Sequence, residues 1–259
     1  MTTMVSHSGY LTVRAVKALV RQPVFLIITL MQPIIWLLLF GQLFSKVVEI
    51  PGFESTGSYL DYLTPGVVVM TTLFSSGWSG MGFILDMERG VMDRLLSSPV
   101  RRGAMISGPL AYQAVTTVIQ SVVIFVVGWL AGARFPGGLV GIVVTIVAAI
   151  LLASALASFS NALALLLRSQ ESVIGVAQLL VLPLVFLSSA VMDIRVAPEW
   201  IQTVSTYNPV DWAATASRIV LSADPDWYEV LWRLGGLLAV AVVVGWLATR
   251  AFRTYQRAA

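Results

Sequence analysis

The chain contains no cysteine, a single histidine and two lysines, and only 11% of its 259 residues are charged. Each shortage removes a class of function. Without cysteine there is no disulfide framework, no thiolate nucleophile and no thiolate metal ligand. One histidine, His7, excludes an H-E-x-x-H zinc site. Its place near the N-terminus reads as an ordinary surface position. A Walker-type phosphate loop needs Gly-Lys-Ser/Thr, but Lys17 and Lys46 follow Val16 and Ser45. No G-x-S-x-G nucleophile elbow occurs. The chain therefore carries no motor, metal or acyl-transfer chemistry that these motifs would supply, and no catalytic residue is assigned.

What is present is apolar surface. Hydrophobic residues make up 58% of the chain, and the mean hydropathy is +0.86. Soluble domains carry about 25% charged residues, so a multi-pass membrane protein is the class that fits. Six apolar stretches are each long enough to be read as a helical span: Val24–Phe44, Leu63–Leu85, Ala104–Ala131, Leu139–Leu167, Ser172–Val191 and Tyr228–Ala251. The first exceeds the apolar region of a signal peptide, so no cleavable leader is expected. Pro33 and Pro183 interrupt spans one and five and predict kinks. The short Gly/Pro-rich loop from Gly132 to Gly138 predicts an antiparallel hairpin of spans three and four. The expected fold is all-α and integral to the membrane, a single transmembrane domain over residues 1–259.

Basic residues set the orientation. With both termini in the cytoplasm, the inner face holds Arg14, Lys17, Arg21, Arg89, Arg94, Arg101, Arg102, Arg168, Arg250, Arg253 and Arg257, most of the 16 basic residues. Of the 13 acids only Asp86, Glu88, Asp93 and Glu171 join them. The positive-inside rule favours this arrangement in a cell membrane. Arg14, Lys17 and Arg21 also share one helical face, so residues 1–23 read as an amphipathic helix on the inner leaflet, attracted by anionic lipid. At the other surface, residues 192–227 are too polar to span. There Asn208, Pro209 and Asp211 suit the N-cap, first position and first turn of a helix. Two short helices are expected at or dipping into the outer surface, with Trp200, Trp212 and Trp227 in the interface belt.

Polarity inside the spans is uncharged. Gln113, Thr117, Gln120 and Ser121 form one stripe on span three; Ser154, Ser158 and Asn161 follow a similar register on span four; span five carries Gln178. Such groups avoid lipid, and they serve either as interhelical hydrogen bonds or as the wall of a translocation path. The pairs Ser76/Gly80, Ser75/Ser79 and Ser154/Ser158 permit close helix packing. Few acids lie deep in a span, which argues against a proton- or sodium-coupled carrier.

The densest charge lies between spans two and three, from Asp86 to Gly103. Met87, Val91 and Leu95 would form an apolar ridge on one helix, with Asp86, Glu88, Arg89, Asp93 and Arg94 around it. Pro99, followed by Arg101 and Arg102, would end it. Asp86-x-x-x-Gly90-x-x-Asp93-Arg94-x-x-Ser97-x-Pro99 resembles the cytoplasmic coupling helix (residues 86–103) of type-2 ABC exporter permeases, in the daunorubicin-resistance branch. Other branches have an acidic-Gly-Thr sequence where Gly90-Val91-Met92 stands here. A second marker is similar to that family's closing signature: Leu182-Pro183, Phe186-Leu187-Ser188-Ser189, Ala197-Pro198-Glu199-Trp200, Tyr207-Asn208-Pro209 and Arg218. Together the two markers extend the resemblance over nearly the whole chain.

The resemblance implies a non-catalytic permease of an ATP-driven exporter for hydrophobic or amphipathic molecules. It implies a second permease, identical or sister, and two copies of a separate ATP-binding subunit that holds ATP and Mg. The chain itself would bind no cofactor and no metal, touch membrane lipids and have no nucleic-acid partner. Export of a lipid or lipid-linked polysaccharide stays open within the family. An ATP-independent secondary carrier and a non-transporting scaffold stay open outside it.

Overall fold

The computed structural model describes residues 23–44, 58–91, 102–191 and 193–258. Among the described residues the chain is all-helical, with no strand. The elements are α1 (Pro23–Leu43), α2 (Tyr59–Gly77), α3 (Met81–Glu88), α4 (Arg102–Leu130), α5 (Gly138–Leu167), α6 (Gln170–Phe186), a 3-10 turn (Ile194–Val196), α7 (Glu199–Ser205), α8 (Pro209–Leu221) and α9 (Trp227–Ala258). By length and composition four helical stretches can cross a membrane: Tyr59–Glu88, Ser107–Leu130, Gly138–Leu167 and Trp227–Arg250. Thr29–Leu43 and Gln170–Phe186 are apolar but shorter. The membrane nature of the chain thus follows from its helices; among the described residues four of the six expected spans have the length, and the other two expected spans fall on the shorter apolar stretches. The expected helix over residues 1–23 lies outside the described residues, apart from Pro23, which opens α1.

Short polar motifs set where helices begin. Ser58 and Asp61 form a reciprocal capping box at α2: the Ser58 hydroxyl accepts from Leu60 N, and the Asp61 carboxylate accepts from Ser58 N at 2.9 Å. The other Asp61 oxygen accepts from Arg134 N at 2.7 Å and ties the α4–α5 hairpin loop to the start of α2. Ser169 caps α6; Asn208 caps α8 with Pro209 at its first turn, the start that the sequence leads one to expect. Between α5 and α6 the turn is only Arg168 and Ser169. Arg168 sits in the left-handed region, φ 50°, a conformation that favours glycine.

α5 is the central post. Its fully buried alanines 148, 149, 153, 157 and 164 let neighbours approach closely. Around Ala148, Leu152 and Leu156 gather Val69 and Leu73 of α2, Val181 and Val185 of α6, Val210, Ala213 and Ala214 of α8, and Leu237 of α9. α8 is therefore not a surface helix but part of the bundle. Its C-terminal end meets α5 backbone to backbone: Gly137 N donates to Leu221 O at 3.0 Å. A β-carbon at Gly137 would stand 1.9 Å from Val220 O, so only glycine fits.

Three expectations are corrected. Span two is not one helix: it breaks at Gly77-Trp78-Ser79-Gly80 into α2 and α3. The Ser160 hydroxyl of α5 fills the break, donating to Gly77 O at 2.6 Å and accepting from Gly80 N at 3.0 Å. Ser160→Ala leaves both groups buried without a partner. The expected outcome is a loss of roughly 1–3 kcal/mol in thermal stability, larger than for Ser154→Ala, whose hydroxyl only bonds its own helix at Ile150 O. Span five stops at Phe186 rather than Val191. The insert from Asp86 is not one rod either. α3 ends at Glu88, and Gly90 takes φ 64°, so Met87 and Val91 do not lie on a continuous helix.

Candidate functional site

The charged insert leaves the bundle at the end of α3. Asp86 and Glu88 lie in the last turn of α3, and Arg89 is its C-cap. Gln170, at the first position of α6, donates through Nε2 to both Glu88 carboxylate oxygens at 3.1 Å. The insert is thereby joined to the start of α6. Gln170 is absent from the sequence motif, and nothing in its local sequence marks it. Asp93, Arg94, Pro99 and Arg101 lie outside the described residues. Arg102 begins α4.

At the opposite end α6 presents a problem of unsatisfied backbone. Its 17 residues span about 25 Å at 1.5 Å each, short of the roughly 30 Å hydrocarbon core. Leu187–Val191 continue without helix, and irregular backbone at such depth needs protein partners. Asn208 Nδ2 donates to Leu184 O and Leu187 O, both at 2.8 Å. Its Oδ1 accepts from Val210 N at 2.9 Å. One side chain thus closes the C-terminal end of α6 and opens α8. Arg218 donates to Ser189 O at 2.6 Å, Ala190 O at 3.1 Å, Ser189 Oγ at 3.0 Å and Tyr62 O at 3.3 Å. Its guanidinium lies 3.7 Å from the Tyr62 ring centroid. Tyr62 and Tyr59, one turn apart on α2, donate to Ser189 O and Val191 O. Asp211 accepts from Ser189 N at 2.8 Å and stands 3.8 Å from the Arg233 guanidinium.

Of the sequence-predicted signature residues, Pro183, Asn208, Pro209 and Arg218 converge on this knot. Pro183 lies inside α6, and its carbonyl accepts from Leu187 N. Pro198 caps α7 without a side-chain bond, and Trp200 is exposed, so neither joins it. Ser189 stood in the signature and also joins the knot; Asp211 was read only as a first-turn acid, and Tyr59 and Tyr62 were missed. The aromatic pair three residues apart at the head of an apolar run was the available signal. Nearby, Arg195 pairs with Asp193 and holds its carboxyl below the usual range, chiefly by side-chain hydrogen bonding. An apolar groove of about 270 Å³ runs beside the knot, lined by Leu179, Leu180, Pro183, Leu184, Leu187 and Tyr207 among others.

The predicted polar stripe lies inside the helical bundle. Gln113, Thr117, Gln120 and Asn161 are all buried. Gln113 Nε2 donates to Ser75 Oγ at 3.1 Å and joins α4 to α2. Gln178 is half-buried on α6, flanked by the exposed Leu179. No group of three or more metal-ligating side chains occurs among the described residues.

Comparison with known proteins addresses the same segments. The sequence profile of the ABC-2 type transporter family matches residues 8–222. The chain is 30% identical over 230 residues to the daunorubicin resistance ABC transporter permease protein DrrB1 of Streptomyces coeruleorubidus, covering 88% of this chain and 80% of that protein. It is 33% identical over 204 residues to the putative transport permease ycf38 of Cyanophora paradoxa, covering 78% and 69% respectively. With the probable multidrug ABC transporter permease YbhR of Escherichia coli K12 the identity is 22% over 212 residues, 81% of this chain and 56% of that one.

Proposed function

The chain belongs to the ABC-2 type transporter family, and we propose that it is the permease subunit of an ATP-driven exporter moving hydrophobic or amphipathic molecules, drugs or natural products, out across the cell membrane. The observation that carries this reading is the family match across both the charged insert and the knot. The relatives named for daunorubicin and multidrug transport support the substrate class. In this reading ATP and Mg are held by a separate ATP-binding subunit, taken in two copies beneath a pair of permeases, identical or sister. We take the two shorter apolar helices as further spans, six in all, and the placement of arginine and lysine favours both termini and the insert on the cytoplasmic side.

In this reading Asp86, Glu88, Arg89, Asp93, Arg94, Pro99, Arg101 and Arg102 form the surface that the ATP-binding subunit engages. Motion of that surface reaches α6 through Glu88 and Gln170. α6 and the groove beside it are apolar, which suits the hydrophobic part of a cargo, and Gln178 offers a polar contact on the same helix. The buried Gln113, Thr117, Gln120 and Asn161 serve a path only if α4 separates from α2 and α5 during the cycle.

The test is copurification of the full chain with candidate ATP-binding subunits, followed by the Glu88→Ala/Arg94→Ala double variant. We expect the double variant to weaken association, or to uncouple ATP hydrolysis from transport, with insertion intact. Single exposed charges contribute under about 1 kcal/mol, so the pair is changed together. Gln170→Leu separates the two roles of Glu88: it cuts the link to α6 while leaving the insert's charges in place, and should uncouple without weakening association. A complex with unaltered affinity and unaltered coupled hydrolysis in both variants would count against the docking role.

A further inference from the structure

Polar groups buried in α2, α4 and α5 lack the partners that their neighbours have. Thr72 Oγ1, Thr117 Oγ1, Gln120 Oε1, Ser121 Oγ and both side-chain polar atoms of Asn161 are buried with no hydrogen-bond partner in the protein. The residues beside them are satisfied. Thr71 donates to Val67 O at 2.7 Å, and Thr116 donates to Tyr112 O at 3.0 Å, the usual resort of a hydroxyl in a membrane helix. The orphans therefore stand apart from satisfied hydroxyls on the same helices.

Their place in the bundle can be located. Gln113 bonds Ser75, and Gly128 lies against Thr64, where a β-carbon would be 2.9 Å from Oγ1. These two contacts set α2 and α4 antiparallel and place Thr72 across from the turn carrying Thr117 and Gln120. Thr117, Gln120 and Ser121 are spaced i, i+3 and i+4, so they share one face of α4. The opposite face, with Val118, Val122 and Val126, is exposed. Asn161 follows Ser160, which bonds Gly77, about a turn and a half further along α2.

We infer that this seam is a hydration site, in which bound water bridges Thr72, Thr117, Gln120 and Ser121, with water also serving Asn161. Buried polar groups in native proteins are paired, and an internal water makes about three bonds to groups left over by the fold. The chemistry of the set selects water over a bare cation. Gln120 Oε1 and Asn161 Oδ1 need a donor, while Asn161 Nδ2 needs an acceptor. A monovalent cation satisfies only the oxygens. Water satisfies both, and the hydroxyls can take either role. Bridging through water also lets α4 shift against α2 without breaking a direct side-chain pair at these positions. This assignment is independent of the transport reading.

The experiment uses the purified full chain in lipid nanodiscs. Thermal unfolding is followed for wild type, Thr72→Val, Thr117→Val and Ser121→Ala in sodium, potassium and choline chloride. Valine keeps the shape of threonine and removes only the hydroxyl. A hydrated seam predicts a lower Tm in each variant, because the remaining groups lose their bridge, and a wild-type Tm that is the same in all three salts. A higher Tm in the valine variants overturns the inference, since it means that the hydroxyls were dry. A wild-type Tm that rises with sodium or potassium, and loses that rise in Gln120→Met, overturns it in favour of a cation. Ser121→Ala removes a single oxygen and carries the test if a threonine variant does not fold.

Discussion

Replacing Arg218 with methionine should cost more stability than any other single polar change in the bundle, roughly 3 kcal/mol or more. Methionine fills a similar volume but leaves Ala190 O without the partner shown here and Ser189 O with Tyr62 alone, both beyond the end of α6, whereas Tyr62 O lies within α2 and keeps its helical partner. Each buried carbonyl stranded in this way costs on the order of 1–3 kcal/mol. Interhelical bonds in membranes are usually worth less, about 0.6 kcal/mol, because the separated helices find other partners. That discount does not apply to carbonyls beyond a helix end, which have no helical alternative. Arg218→Lys should fall between the two, since a compact ammonium does not reproduce the planar fork. Thermal unfolding of the purified variants gives the ranking. A methionine variant as stable as wild type would mean that the short α6 does not depend on this residue.

The second large effect is expected at Asn208, where two changes separate its two roles. Asparagine, aspartate and serine cap helices comparably well, so α8 should start in all three. Aspartate, however, converts the donor into a second anionic acceptor facing Leu184 O and Leu187 O. Serine brings no charge, but its shorter side chain lacks the amide that reaches both carbonyls. The expected order of stability is Asn above Ser above Asp, with Asn208→Asp losing roughly 3 kcal/mol or more. If aspartate equals asparagine, Asn208 acts only as a cap for α8, and the closure of α6 has another origin.

These residues also show how much was legible. Asn208 and Pro209 announced a helix start because capping is local, and the structure places that start where expected. The long apolar helices were legible through hydropathy, which depends only on composition. The shortening of α6 was not, because two serines among Leu187–Val191 do not by themselves end an apolar helix. What stops the helix is a side chain more than twenty residues away. The break between α2 and α3 was hidden for the same reason: its filler, Ser160, comes from another helix. The stripe on α4 is buried in the bundle, and sequence could not say which helices it faces. Arg218 stood in the family-like signature, yet its partners Tyr62 and Ser189 are separated from it by 156 and 29 positions.

The attachments at the two ends of α6 have a geometric consequence. One end is held by Glu88 through Gln170, and the other shares Asn208 with the start of α8. A helix about 25 Å long gripped in this way is a lever arm. A tilt of about 10° pivoting at the Gln170 end sweeps the far end through roughly 4 Å, by the same length. That sweep exceeds the reach of any hydrogen bond in the knot, so even a small rocking of the arm forces Arg218 and the tyrosines either to follow α6 or to release it.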